Sequence, residues 1–101
     1  MSIVMTLEFK LKDGNLSKSL RWFGEKLPET RAWSGCIGVQ TLAAEDGKSV
    51  LQVQEWETKG HQQAYFKDRV EAGVIEDVMQ FLTEQPIACL LYTSDAADDG
   101  L

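Results

Sequence analysis

The chain has one histidine, two prolines and two cysteines among its 101 residues, and nothing in it approaches the ~20 apolar residues of a membrane span. Each scarcity excludes something. Cys36 and Cys89 make a poor disulfide framework and offer no metal-ligand spacing, so a reducing compartment and no bound metal are expected. Ten basic residues against sixteen acidic ones give a net charge of -6 with no basic stripe, which argues against nucleic acid as a partner. The first residues, MSIVMTLEFK, lack a basic segment before their apolar ones and are interrupted by Glu8; they read as a first strand, not a signal peptide. A cytoplasmic setting is the expectation. No repeat or low-complexity segment is visible. What remains is 44% hydrophobic and 26% charged, the composition of an ordinary soluble globular domain with a single thin core.

Ile3, Met5, Leu7, Phe9 and Leu11 alternate with Val4, Thr6, Glu8 and Lys10, the period of a half-buried strand. Asp13-Gly14-Asn15 ends it, and Asn15 or Ser17 can cap a helix whose stripe is Leu16, Leu20, Phe23 and Leu27, with Pro28 near its end. A second strand is predicted at about 36–42, an Asp46-Gly47 hairpin turn follows, and a third strand runs at about 49–56. Thr58 can cap a helix to about Arg69, a break falls near Gly73, and a last strand begins at Ile87 after Pro86. The order strand, helix, strand, strand, helix, strand is the ferredoxin-like split βαβ arrangement: an α+β fold with an antiparallel sheet and helices on one face. Strict alternation sets Ile37 and Val39 against Cys36 and Leu42, and Leu51 and Val53 against Val50 and Trp56, so both sheet faces carry apolar residues. A bare apolar face implies a homodimer.

From Cys89 the character changes. CLLYTSDAADD resembles the reading-frame translation of a transposase adapter used in DNA library preparation, which gives residues 1–88 as the domain and 89–101 as a non-native tail. Excluding Asp95, Asp98 and Asp99 takes the charge from -6 to -3. The alternatives are a natural acidic, disordered terminus, or a Cys89–Thr93 segment that serves as the last strand.

Lys12-Asp13-Gly14 after the first strand, Trp33-Ser34-Gly35-Cys36-Ile37-Gly38 leading into the second, and Glu55-Trp56-Glu57 before a helix resemble the antibiotic biosynthesis monooxygenase family of dimeric α+β-barrel proteins. The resemblance spans about residues 3–88. It implies a pocket between sheet and helices in which phenolic or quinol-type aromatic molecules are oxidised by molecular oxygen without metal or flavin. The family's haem-degrading branch is similar in its Trp at the third strand's end, matched by Trp56. That branch also carries an Asn on the first strand, where Leu7 stands here, and a His on the following helix, where Tyr65 or Phe66 stands. Without that imidazole no axial iron ligand exists, and no cofactor is expected.

His61 and Tyr65 are four apart, so they share a helix face and can both reach toward Trp56. His61 is the candidate to take a phenolic proton, since imidazole titrates near neutrality, with Tyr65 holding the substrate. The alternative is a solvent-exposed helix-start His beside a partly buried Tyr. Trp56 is expected to pack and to wall a pocket. Gln52 and Gln54 share its strand face and could bind a ligand carbonyl or hydroxyl, or else lie at an edge or dimer rim in water. Trp33 and Arg31 could form a lid or an anion contact, or Trp33 packs under the helix end. Trp22, off the apolar stripe, is exposed or a subunit contact. Cys36 reads as a small buried apolar residue, and the run containing Lys59, Lys67, Asp68 and Arg69 as solvated surface. The leading expectation is a cofactor-independent monooxygenase of small aromatic molecules. Its rival is a non-catalytic dimeric binding or stress-related domain with the same pocket.

Overall fold

Alternation in the first residues becomes strand β1 (Ile3–Lys10), and the computed structural model, which describes residues 2–93, runs on through α1 (Leu16–Arg31), β2 (Cys36–Ala43), β3 (Ser49–Trp56), α2 (Lys59–Glu71), α3 (Val74–Val78), a single 3-10 turn at Met79–Phe81 and β4 (Ile87–Tyr92). Every pairing is antiparallel, in the order β2-β3-β1-β4. This is the expected ferredoxin-like α+β fold. No helix among the described residues is long and apolar enough to cross a membrane.

Local chemistry explains the boundaries. Gly47 turns the β2–β3 hairpin at φ +72°, while the Asp46 carboxylate accepts the Lys48 N–H at 2.9 Å. Thr58 caps α2 by accepting the His61 N–H at 3.1 Å. Gly73, at φ +78°, ends α2 and starts α3, as the sequence predicts. Asn15 does stand at the N-cap of α1, but its side chain donates back to the Asp13 carbonyl and caps nothing. Pro28 lies inside the last turn of α1, not beyond it.

The register puts Ile3, Met5, Leu7 and Phe9 of β1 beside Trp56, Gln54, Gln52 and Val50 of β3, all facing the helices. There Phe9, Phe23, Leu27, Val50, Val78, Phe81 and Leu82 form the main core, and Ile3, Trp56 and Tyr65 a second one. One expectation fails in β2. A bulge between Cys36 and Gly38 pairs Cys36 with Trp56 but Gly38 with Glu55, which reverses the alternation. Ile37 is therefore 53% exposed while Val39 packs against the core, so the two are not on one face.

Cys89–Thr93 continues the sheet. Ile87–Tyr92 pairs with β1 from Glu8 to Ile3, and Leu90 packs against the Ile3–Trp56 cluster. The remainder of the adapter-like tail, 94–101, lies outside the described residues.

Candidate functional site

β3 is a central strand, and its alternation turns Gln52, Gln54 and Trp56 inward beside the apolar face of β1. They are 4%, 3% and 0% exposed, which removes the edge or rim alternative for the two amides. An indole N–H can only donate, so the Trp56 Nε1 contact at 3.2 Å fixes the Gln54 Oε1 as acceptor. That leaves the Gln54 Nε2 to donate to the Gln52 Oε1 at 3.0 Å. The relay ends with the Gln52 Nε2 as a donor without a protein partner among the described residues.

The Thr58 cap sets the phase of α2 so that Gln62, Tyr65 and Arg69 turn toward the sheet. Tyr65 lies over Trp56 with ring centroids 4.9 Å apart, meets Trp33 edge-on at 5.6 Å, and shares a 2.7 Å hydrogen bond with the Thr30 hydroxyl on α1. Burial pushes the Tyr65 phenol above its ordinary value, opposed by the Thr30 bond and by nearby Arg69, so it keeps its proton at neutral pH. The Arg69 guanidinium sits 5.5 and 5.6 Å from the Trp33 and Tyr65 rings. It donates to Glu29 at 2.9 Å and also pairs with Asp68; its bond and charge hold the exposed Glu29 carboxyl below the usual range. Gln62 is 6% exposed, and its amide has no protein partner among the described residues.

Gln52, Gln54, Gln62, Tyr65 and Arg69 border a cavity of about 500 Å³ between the sheet and the helices. Met5, Leu7 and Phe9 floor it, Phe23 and Leu27 form the α1 wall, and Val74, Ile75 and Val78 the α3 wall. Thr30, Gln52, Gln54, Gln62, Tyr65 and Arg69 supply polar atoms. The combination suits a flat apolar molecule with a few oxygens.

No protein-family model matches the chain, and no curated protein matches it in sequence. Solved structures do match its fold. Rv0793 from Mycobacterium tuberculosis aligns with a TM-score of 0.80 at 16% identity, covering 94% of this chain and 97% of that one. A monooxygenase from the gene ActVA-Orf6 of Streptomyces coelicolor, in complex with the ligand nanaomycin D, gives 0.80 at 19%, covering 92% and 88%. An antibiotic biosynthesis monooxygenase gives 0.77 at 13%, covering 93% and 99%. The fold is that of the antibiotic biosynthesis monooxygenases. At these identities the likeness is one of fold.

Within this fold the residues singled out in the sequence separate into two groups. Tyr65, Gln52 and Gln54 line the cavity. Trp56 is wholly buried one layer behind it, beneath Tyr65. Trp33 packs at the end of α1 against Tyr65 and is also outside the lining. His61, half-buried, has its Nδ1 2.7 Å from the Thr58 hydroxyl and its ring over Gly35, away from the cavity lining. Trp22 is half-buried and also lines the cavity; its indole N–H donates to Asp77 at 2.6 Å and its ring packs on Phe23 and Phe81. Cys36 is half-buried, and burial raises its thiol.

Sequence reasoning missed Gln62, Thr30 and Arg69. Arg69 is 5% exposed, not solvated surface, and its place one helical turn after Tyr65 was the available signal. Gln62 is three residues before Tyr65 and shares the same face. Thr30 carries no signal, because its role depends on how α1 meets α2.

Proposed function

We propose that the cavity binds a small phenolic or quinol-type aromatic molecule and oxidises it with molecular oxygen, as a monooxygenase that uses no metal or flavin. The observation that carries this reading is the pairing of apolar walls with neutral polar groups: the Gln52 and Gln62 amides, free of protein partners, and the protonated Tyr65 phenol. A substrate ring stacks along the Phe9 and Phe23 walls, with its ring oxygen on the Gln52 Nε2. Donors placed there stabilise the phenolate as its charge develops. The electron-rich ring then reacts with oxygen. For 1-naphthol the balance is one naphthol and one O₂ giving one 1,4-naphthoquinone and one water, so the substrate supplies every electron. The substrate's phenolic proton passes to solvent water at the cavity mouth, and Tyr65 relays a proton to the oxygen atom that leaves as water and is reprotonated from that solvent, so both hydrogens of the water come in the end from the substrate. His61, held by Thr58 outside the lining, has no part in this scheme.

The similar Streptomyces coelicolor monooxygenase carries its ligand nanaomycin D, which supports an organic occupant. The reading extends to assembly. The sheet face without helices exposes Ile37, Leu42, Ile87 and Leu91 by 42–53%, and we assign it to pairing with a second copy of the chain.

Oxygen uptake with a panel of naphthols and naphthohydroquinones tests the reaction. Consumption well above the protein-free rate, saturating with substrate, is expected; ligand binding with no consumption above that rate would leave a binding protein instead.

A further inference from the structure

The cavity's charge runs against that of the chain. Lys26, Lys59, Lys67 and Arg69 line it, four of the ten basic residues, while no Asp or Glu among the described residues does so. In a chain of net charge -6 the average field repels anions, so this local excess is specific to the cavity. We propose that the occupant carries a carboxylate on its aromatic body, and that Lys26, Lys59 and Lys67 select it. This deepens the proposed function only in using the same cavity; it concerns recognition, not turnover.

The four cations differ in availability. Arg69 is committed to Glu29 and Asp68 and braces the Trp33 and Tyr65 rings. Lys26 lies with its ammonium 5.7 Å from the Trp22 ring centre, near the Asp77 carboxylate that the indole holds, and forms no salt bridge among the described residues. Lys59 and Lys67 have no salt-bridge partner among the described residues. They stand about 12 Å apart along α2, at the rise of an α-helix. Their stems can lie along apolar wall while the ammonium groups meet a charge at the rim. The second observation is Gln62, nine-tenths buried, facing the cavity with an amide that no protein group satisfies. A ligand oxygen deeper in the cavity would satisfy it. Inner amides for a ring oxygen and an outer ring of lysines for an acid together describe a hydroxyaryl carboxylate. A carboxylate carries one charge where a phosphate carries up to two, so it costs less to draw in beside the apolar walls.

The test is calorimetric titration of the full chain with a matched pair whose two groups lie at opposite ends of the ring system, 6-hydroxy-2-naphthoate and 6-hydroxy-2-naphthamide, at about 10 mM and about 300 mM salt. The acid is expected to bind about tenfold more tightly than the amide at low salt, with the advantage shrinking at high salt. In the Lys26→Gln/Lys59→Gln/Lys67→Gln variant the acid's advantage over the amide falls below about threefold, and an unchanged urea-unfolding midpoint shows that the fold is intact. Equal or weaker binding of the acid by the unaltered chain, or a preference that survives the triple substitution, would overturn the proposal. If the amide alone binds, the carboxylate assignment fails and the proposed function stands. If neither binds, both fail.

Discussion

Tyr65 concentrates the residue-scale argument, since a single phenol touches Trp56, Trp33, Thr30 and Arg69 and also faces the cavity. Removing only its oxygen should leave packing intact and remove the proton donor. For Tyr65→Phe, turnover of a naphthol is expected to fall about 100-fold, within the usual range for general acid–base groups, whereas His61→Ala should leave it unchanged; steady-state oxygen uptake separates the two. The pH dependence has a definite sign. The folded Tyr65 pKa is raised above the ordinary 10.0 by burial, so the unfolded chain loses this proton first. Stability is fully present below pH 10 and declines as pH rises through the folded value; urea titrations at rising pH should show this decline weakened in Tyr65→Phe. The Trp56–Gln54–Gln52 relay gives another expectation. Trp56→Phe strands the buried Gln54 acceptor, at about 1–3 kcal/mol by urea unfolding, and frees the Gln52 amide to turn. The amides' shared face was legible from alternation alone, but the relay was not, because it depends on side-chain torsions that periodicity does not encode.

At the scale of elements, spacing and turn chemistry were sufficient for most of the fold. The Thr58 cap, the Gly47 hairpin and the Gly73 break stand where the sequence predicts them. The β2 bulge was hidden, because one inserted residue changes no composition yet moves Ile37 to the outer face and Val39 to the core. The cavity was expected only from the family resemblance, since it is the space left between the sheet and α1, α2 and α3, and no single element specifies it. His61 and Gly35 show how elements lock together. Gly35 sits at φ +85°, and a Cβ there would overlap the His61 ring at the start of α2. Gly35→Ala is therefore expected to lose about 1–2 kcal/mol from backbone strain alone, and more from displacing α2. Chemical denaturation of Gly35→Ala beside Gly35→Ala/His61→Ala checks it: relief in the double variant by at least about 0.5 kcal/mol indicates the steric part.

For the molecule as a whole, two faces of one sheet carry two purposes in this account. The inner face builds the cavity, and the outer face, with Leu42 and Leu91 left 42% and 48% exposed, is the one we assign to pairing with a second copy. Leu42→Glu/Leu51→Glu, two cross-strand neighbours on that face, should convert a dimer to a monomer in light scattering. A wild-type monomer at micromolar concentration would contradict the assignment. The central claim is that this cavity inserts oxygen into an aromatic ring without help from a bound metal or flavin. The most direct measurement is mass spectrometry of the quinone formed from 1-naphthol under ¹⁸O₂ by chelator-treated protein. One ¹⁸O atom per quinone, with the yield reduced in Tyr65→Phe, is the result expected. Quinone at the protein-free rate, or quinone whose added oxygen comes from water, would contradict it.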